Sequence, residues 1–73
     1  MTKEYKYLKE GVTADLIEFL IQDYDLDLQT ALNALYESET YSKLNDSATG
    51  LYFQSSRYVY SFLQEELQKG RFN

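Results

Sequence analysis

The sequence predicts an all-α fold, a small bundle of about four helices, and three observations predict it. Apolar residues return at three- and four-residue steps in three separate stretches, the period of an amphipathic helix. No proline and only three glycines occur in 73 residues, so little in the chain interrupts those stretches. Ser or Asp stands just ahead of each later helix, where a side-chain oxygen can accept from an amide that the helix leaves unbonded.

The first helix is expected over about residues 2–24. Tyr5, Leu8, Val12, Leu16 and Phe19 or Leu20 make its apolar stripe, with Asp15, Glu18, Gln22 and Asp25 opposite. Gly11 costs a helix about 1 kcal/mol relative to alanine and marks a break, with Thr13 as cap of a restart. Asp25-Leu26-Asp27 reads as a turn in which Asp27 caps the next helix. That second helix, residues 28–37, carries Leu28, Ala31, Leu32, Leu35 and Tyr36 as one apolar stripe against Gln29, Thr30, Asn33 and Glu37. Ser38 is placed to cap a short third helix holding Tyr41 and Leu44, before a polar loop at residues 45–50.

Residues 51–60 admit two readings. On β propensity alone, Leu51-Tyr52-Phe53-Gln54 and Arg57-Tyr58-Val59-Tyr60 form a hairpin, giving an α+β fold. Ser55-Ser56 lacks the Asn or Gly that a two-residue hairpin turn favours, so a helix capped by Ser55 or Ser56 is preferred. It places Val59, Phe62, Leu63 and Leu67 on one face, Gln64, Glu65 and Gln68 on the other, and Gly70 just past its end.

The chain is read as a single domain, and a thin one. A chain this short buries only about 60% of the surface that its unfolded form exposes. It has no cysteine and no histidine, which removes disulfides, zinc sites and the usual transition-metal ligands as staples. Self-association, as a homodimer or larger assembly, is the compensation left open. No stretch approaches the ~20 apolar residues of a membrane span, and the longest cluster, residues 16–21, is interrupted by Glu18. The first residues have charge but no hydrophobic region behind it, so a signal peptide is not expected and a cytoplasmic location is. Leu51-Tyr52-Phe53-Gln54-Ser55 matches most of a tobacco-etch-virus protease site. Thr49 stands where that site has glutamate, and the segment is read as native sequence.

Charge is distributed unevenly. Net charge is −5, yet Glu10, Asp15, Glu18, Asp23, Asp25, Asp27, Glu37 and Glu39 face no lysine or arginine anywhere between Lys9 and Lys43. From Lys43 onward Lys43, Arg57, Lys69 and Arg71 outnumber Asp46, Glu65 and Glu66 by one. Nucleic-acid binding needs a basic face that displaces counterions from phosphates, so no nucleic-acid partner is expected.

Chemistry has little to work with. Asp23, Asp25 and Asp27 have the spacing of the first ligands of a calcium loop. The required glycine and glutamate are replaced by Leu28 and Ala34, so no metal site is expected. Serine nucleophiles have no histidine to activate them, and Gly11, Gly50 and Gly70 are too far apart to cradle a phosphate. The chain is therefore not expected to be an enzyme or to carry a cofactor. Tyrosine is the unusual residue, eight of 73, more than so small a core can hold with every hydroxyl satisfied. The candidate partner-contact residues are Asp15, Glu18 and Asp25 on the acidic stripe, with Tyr52, Phe53, Tyr58 and Tyr60 as an aromatic group beside the loop.

Three stretches carry a resemblance: Ala14-Asp-Leu-Ile-Glu-Phe-Leu-Ile, Ala31-Leu-Asn-Ala-Leu-Tyr and Tyr58-Val-Tyr-Ser-Phe-Leu. Their arrangement resembles a family of short bacterial helical proteins of unknown function. The resemblance implies a helical fold and an antitoxin or accessory role beside ADP-ribosyltransferase-like toxins. It brings no functional residue with it. The residues themselves point to a non-catalytic protein–protein interaction module for a partner with a basic surface. A self-assembling structural or regulatory homo-oligomer is the alternative.

Overall fold

The structure, a computed structural model, describes residues 3–69. Four helices follow in order: α1 (Lys3–Tyr24), α2 (Leu28–Tyr36), α3 (Glu39–Leu44) and α4 (Ser56–Gln68), with 3₁₀ turns at Ser47–Thr49 and Leu51–Phe53 before α4. The fold is all-α. The expected helix start at Thr2 and the stop at Gly70 lie outside the described residues.

α1 runs unbroken through Gly11, contrary to the expected break. Thr13 does not cap a restart; its hydroxyl donates to the Lys9 carbonyl four residues back, 2.8 Å away, a bond made from inside a helix. Packing decides the matter. Tyr5, Val12, Leu16 and Leu20 are all buried, and this one stripe spans the glycine from both sides. In a protein most helical stability comes from such a packed face rather than from propensity.

The two glycines give a matched test of that account. A Cβ at Gly11 would meet nothing within 4 Å, and so would one at Gly50, but Gly50 has φ +71°. Gly11→Ala is expected to raise the thermal midpoint by about 4–8 °C, the effect of about 1 kcal/mol in a domain of this size. Gly50→Ala forces a side chain into left-handed backbone and is expected to lower the midpoint by at least about as much. Circular-dichroism melts of the two variants check both signs; a midpoint lowered by Gly11→Ala contradicts the continuous helix.

The core joins all four helices: Val12, Leu16 and Leu20 from α1, Ala31 and Leu35 from α2, Leu44 from α3, and Val59, Tyr60 and Leu63 from α4. Between α1 and α2 the chain turns at Asp25, whose φ of 54° is left-handed. Asp27 then caps α2, its carboxylate accepting from the Thr30 amide at 2.9 Å.

α3 has six residues, too few to stand alone, and neighbours hold both its ends. At its start the Ser38 hydroxyl accepts from the Tyr41 amide at 3.0 Å. Glu66 of α4 accepts from the Glu39 amide at 2.7 Å, the Thr40 amide at 3.1 Å and the Thr40 hydroxyl at 2.8 Å. Just past its end the Tyr5 hydroxyl donates to the Asn45 carbonyl at 2.7 Å. A carboxylate from α4 and a phenol from α1 thus close a helix that lies between them.

Residues 51–60 form no hairpin, and no strand occurs among the described residues. Ser55 caps α4 by accepting from the Tyr58 amide at 3.2 Å. The next residue ties the new helix to α1, the Ser56 hydroxyl donating to the Asp15 carboxylate at 2.5 Å. No helix among the described residues is long and apolar enough to cross a membrane.

Candidate protein-interaction surface

The aromatic group expected beside the loop divides. Tyr60 is 1% exposed and belongs to the core, which corrects its assignment as a partner contact. Its ring packs on Phe19 at 5.0 Å between centroids, and its hydroxyl donates to the Asp23 carboxylate at 2.8 Å. Burial, reinforced by the bond to Asp23, pushes the Tyr60 phenol well above its ordinary value of 10.0. Tyr52 is half-buried, edge-on to Tyr5 at 4.7 Å and against Phe53 at 4.4 Å. Phe53 and Tyr58 are exposed, and the Tyr58 ring meets Phe62 edge-on at 5.1 Å. The division follows from the helix. Residues two apart on α4 point about 200° away from each other, so Tyr58 and Tyr60 cannot share a face.

The acidic residues also divide, by whether the fold uses them. Asp15 receives Ser56, Asp23 receives Tyr60, Asp27 receives Thr30, Asp46 receives the Ala48 amide at 3.0 Å, and Glu66 receives α3. Hydrogen bonding from Thr30 holds the Asp27 carboxyl below its usual 3.8. Glu10, Glu18 and Asp25 are exposed, and among the described residues no lysine or arginine forms an ion pair with them. The ion pair that does form there, Lys69 with Glu65 at 3.5 Å, lies on α4. Glu18 follows Asp15 by three residues on α1, and Asp25 stands one residue beyond the helix end.

Asp23, Asp25 and Asp27 do not converge on a point. Two of them serve different helices, and among the described residues no group of three carboxylates is placed to hold a metal ion. A cleft of about 330 Å³ between α3 and α4 is lined by Thr40, Lys43, Leu51, Phe62, Glu66 and Lys69. Three carboxylates line it, Glu39, Glu65 and Glu66; Glu66 already binds the start of α3 and Glu65 pairs with Lys69, so these two serve the fold.

Two features escaped the sequence reading. Arg57 of α4 lies over the Phe19 ring, 4.0 Å from its centroid, which brings a cation beside α1 from a distant stretch of chain. The apolar stripe of α2 is wider than its buried face. Ala31 and Leu35 are fully buried, whereas Leu28 is 58% and Tyr36 52% exposed. Six apolar residues among nine exceed the share that one buried face requires, and that excess is the signal in the sequence. No protein-family model matches this chain, and no curated protein or solved structure is detectably similar to it.

Proposed function

We propose that this domain is a non-catalytic protein–protein interaction module whose acidic α1 side docks a basic surface of a partner protein. One observation carries the reading. Asp15, Asp23, Asp27, Asp46 and Glu66 each receive a hydrogen bond that positions a helix or turn, while Glu10, Glu18 and Asp25 receive none among the described residues and stay exposed. Net negative charge opposes the compact state slightly through self-repulsion, so the uncommitted acids cost the fold something and return nothing to it. Docking a cationic surface recovers that cost, and charge complementarity steers the encounter. A basic partner fits the antitoxin or accessory role implied by the sequence resemblance.

The test uses the intact chain and its Asp15→Asn, Glu18→Gln, Asp25→Asn triple variant as baits in extract of the source organism. Asparagine at residue 15 keeps an oxygen for Ser56, and changes at exposed sites typically alter stability by less than about 0.5 kcal/mol each. The triple variant is therefore expected to keep its helical content and to lose a basic partner that the wild type retains at low salt. Equal capture by both baits contradicts the reading. The same preparations address the alternative of a self-assembling homo-oligomer. Sedimentation that shows the wild type as an oligomer, unchanged in the triple variant and without a second protein, favours it.

A further inference from the structure

We infer that the exposed flank of α2, formed by Leu28, Leu32 and Tyr36, is a docking site for an amphipathic cationic helix of a partner protein. The inference rests on the reading above and names a second, apolar part of the surface together with the chemistry of its occupant. The three side chains recur every four residues, so they form one row, about 12 Å long at 1.5 Å per residue. Leu28 and Tyr36 are exposed and Leu32 is half-buried between them. The Tyr36 ring meets Tyr41 of α3 at 5.0 Å, which carries the apolar row from α2 onto the next helix. Contiguous exposed apolar rows of this kind mark interaction sites, and side chains at four-residue spacing suit a helix laid against them.

The rim decides what occupies the row. Asp25 and Asp27 stand at its N-terminal end and Glu37 at the other, all exposed, and the sequence has no lysine or arginine between Lys9 and Lys43. A second copy of the chain, docked face to face about a two-fold axis, would set these carboxylates against their own counterparts. Such like-charge juxtaposition opposes association, so charge selects a partner segment with an apolar stripe flanked by lysine or arginine.

The experiment titrates labelled wild-type protein with a synthetic Leu/Lys amphipathic helical peptide of about 18 residues, long enough to hold helix on a surface. A scrambled peptide of the same composition and a Leu/Glu counterpart are run beside it. Expected is binding of the amphipathic cationic peptide at least about tenfold tighter than the scramble, with amide shifts concentrated at residues 28, 32 and 36. The Leu28→Ser, Tyr36→Ser double variant should fall to the affinity of the scramble, and so should Leu28→Lys, which changes only an exposed side chain. Tyr7→Ser, at an exposed aromatic on α1, should bind as wild type does. Equal binding of the scramble, or unchanged binding by the double variant with helical content retained, overturns the site. A wild-type dimer that the double variant dissociates also overturns it, because a second copy then covers the row. Peptide binding lost in the Asp15, Glu18 and Asp25 triple variant but kept in the Leu28 and Tyr36 double variant removes this site while leaving the acidic side as the docking surface.

Discussion

Tyr60→Ala is expected to remove a large share of the stability of the domain. Truncating a fully buried aromatic costs about 3–5 kcal/mol. A chain of this length has on the order of 4–11 kcal/mol in total, at about 0.05–0.15 kcal/mol per residue. Tyr60 also joins α4 to α1 through Phe19 and Asp23, so the lost volume lies where those two helices pack. Tyr60→Phe keeps the ring and removes only the hydroxyl bonded to an exposed carboxylate, at a cost of about 1 kcal/mol. The pair also has a pH signature. The folded-state phenol titrates above its unfolded value of 10.0. The stability it contributes is therefore complete below pH 10 and is lost as pH rises beyond it, because the unfolded chain ionises first. Urea titrations from about pH 8 to about pH 11 should show wild-type stability falling above pH 10 more steeply than that of Tyr60→Phe. Parallel curves contradict the buried-phenol account.

Glu66→Ala is expected to cost about 2–4 kcal/mol, far beyond the usual effect of changing a charged residue on a small helical domain. The carboxylate is the acceptor for two amides at the start of α3 and for the hydroxyl of Thr40, which is 4% exposed. Removing it strands a buried donor and frees a six-residue helix at one end, and Leu44, fully buried on that helix, loosens with it. Glu66→Gln keeps one acceptor oxygen and should fall between wild type and alanine. Midpoints in urea check the order, and Glu66→Ala within about 0.5 kcal/mol of wild type contradicts the cap.

The helices and their local caps were legible because their causes lie within a few residues. The three- and four-residue recurrence located α1, α2 and α4, and Asp27, Ser38 and Ser55 each accept from an amide three residues on. What was not legible depends on distance. Glu66 caps a helix 26 or 27 residues earlier, and Asp15 receives Ser56 from 41 residues away. Nothing in their neighbourhoods separates these structural acids from Glu18 or Asp25. The break expected at Gly11 failed for the same reason, since local propensity was overruled by a packed stripe that only the folded chain assembles. Tyr60 could have been separated from Tyr58 by the helix period alone, once the helical reading of that segment was adopted.

The account rests on the exposed acids of α1 and the turn after it being held for a cationic partner, Glu18 and Asp25 having no contact of their own among the described residues. The association rate of a captured basic partner, measured against ionic strength for the wild type and for the Asp15, Glu18 and Asp25 triple variant, tests this most directly. Exposed charges are screened over about 8 Å at physiological salt, so the wild-type rate should fall about tenfold or more from low to physiological ionic strength. The triple variant should start slower and lose most of that dependence. A wild-type rate indifferent to salt, or an equal salt dependence in both proteins, would contradict the account.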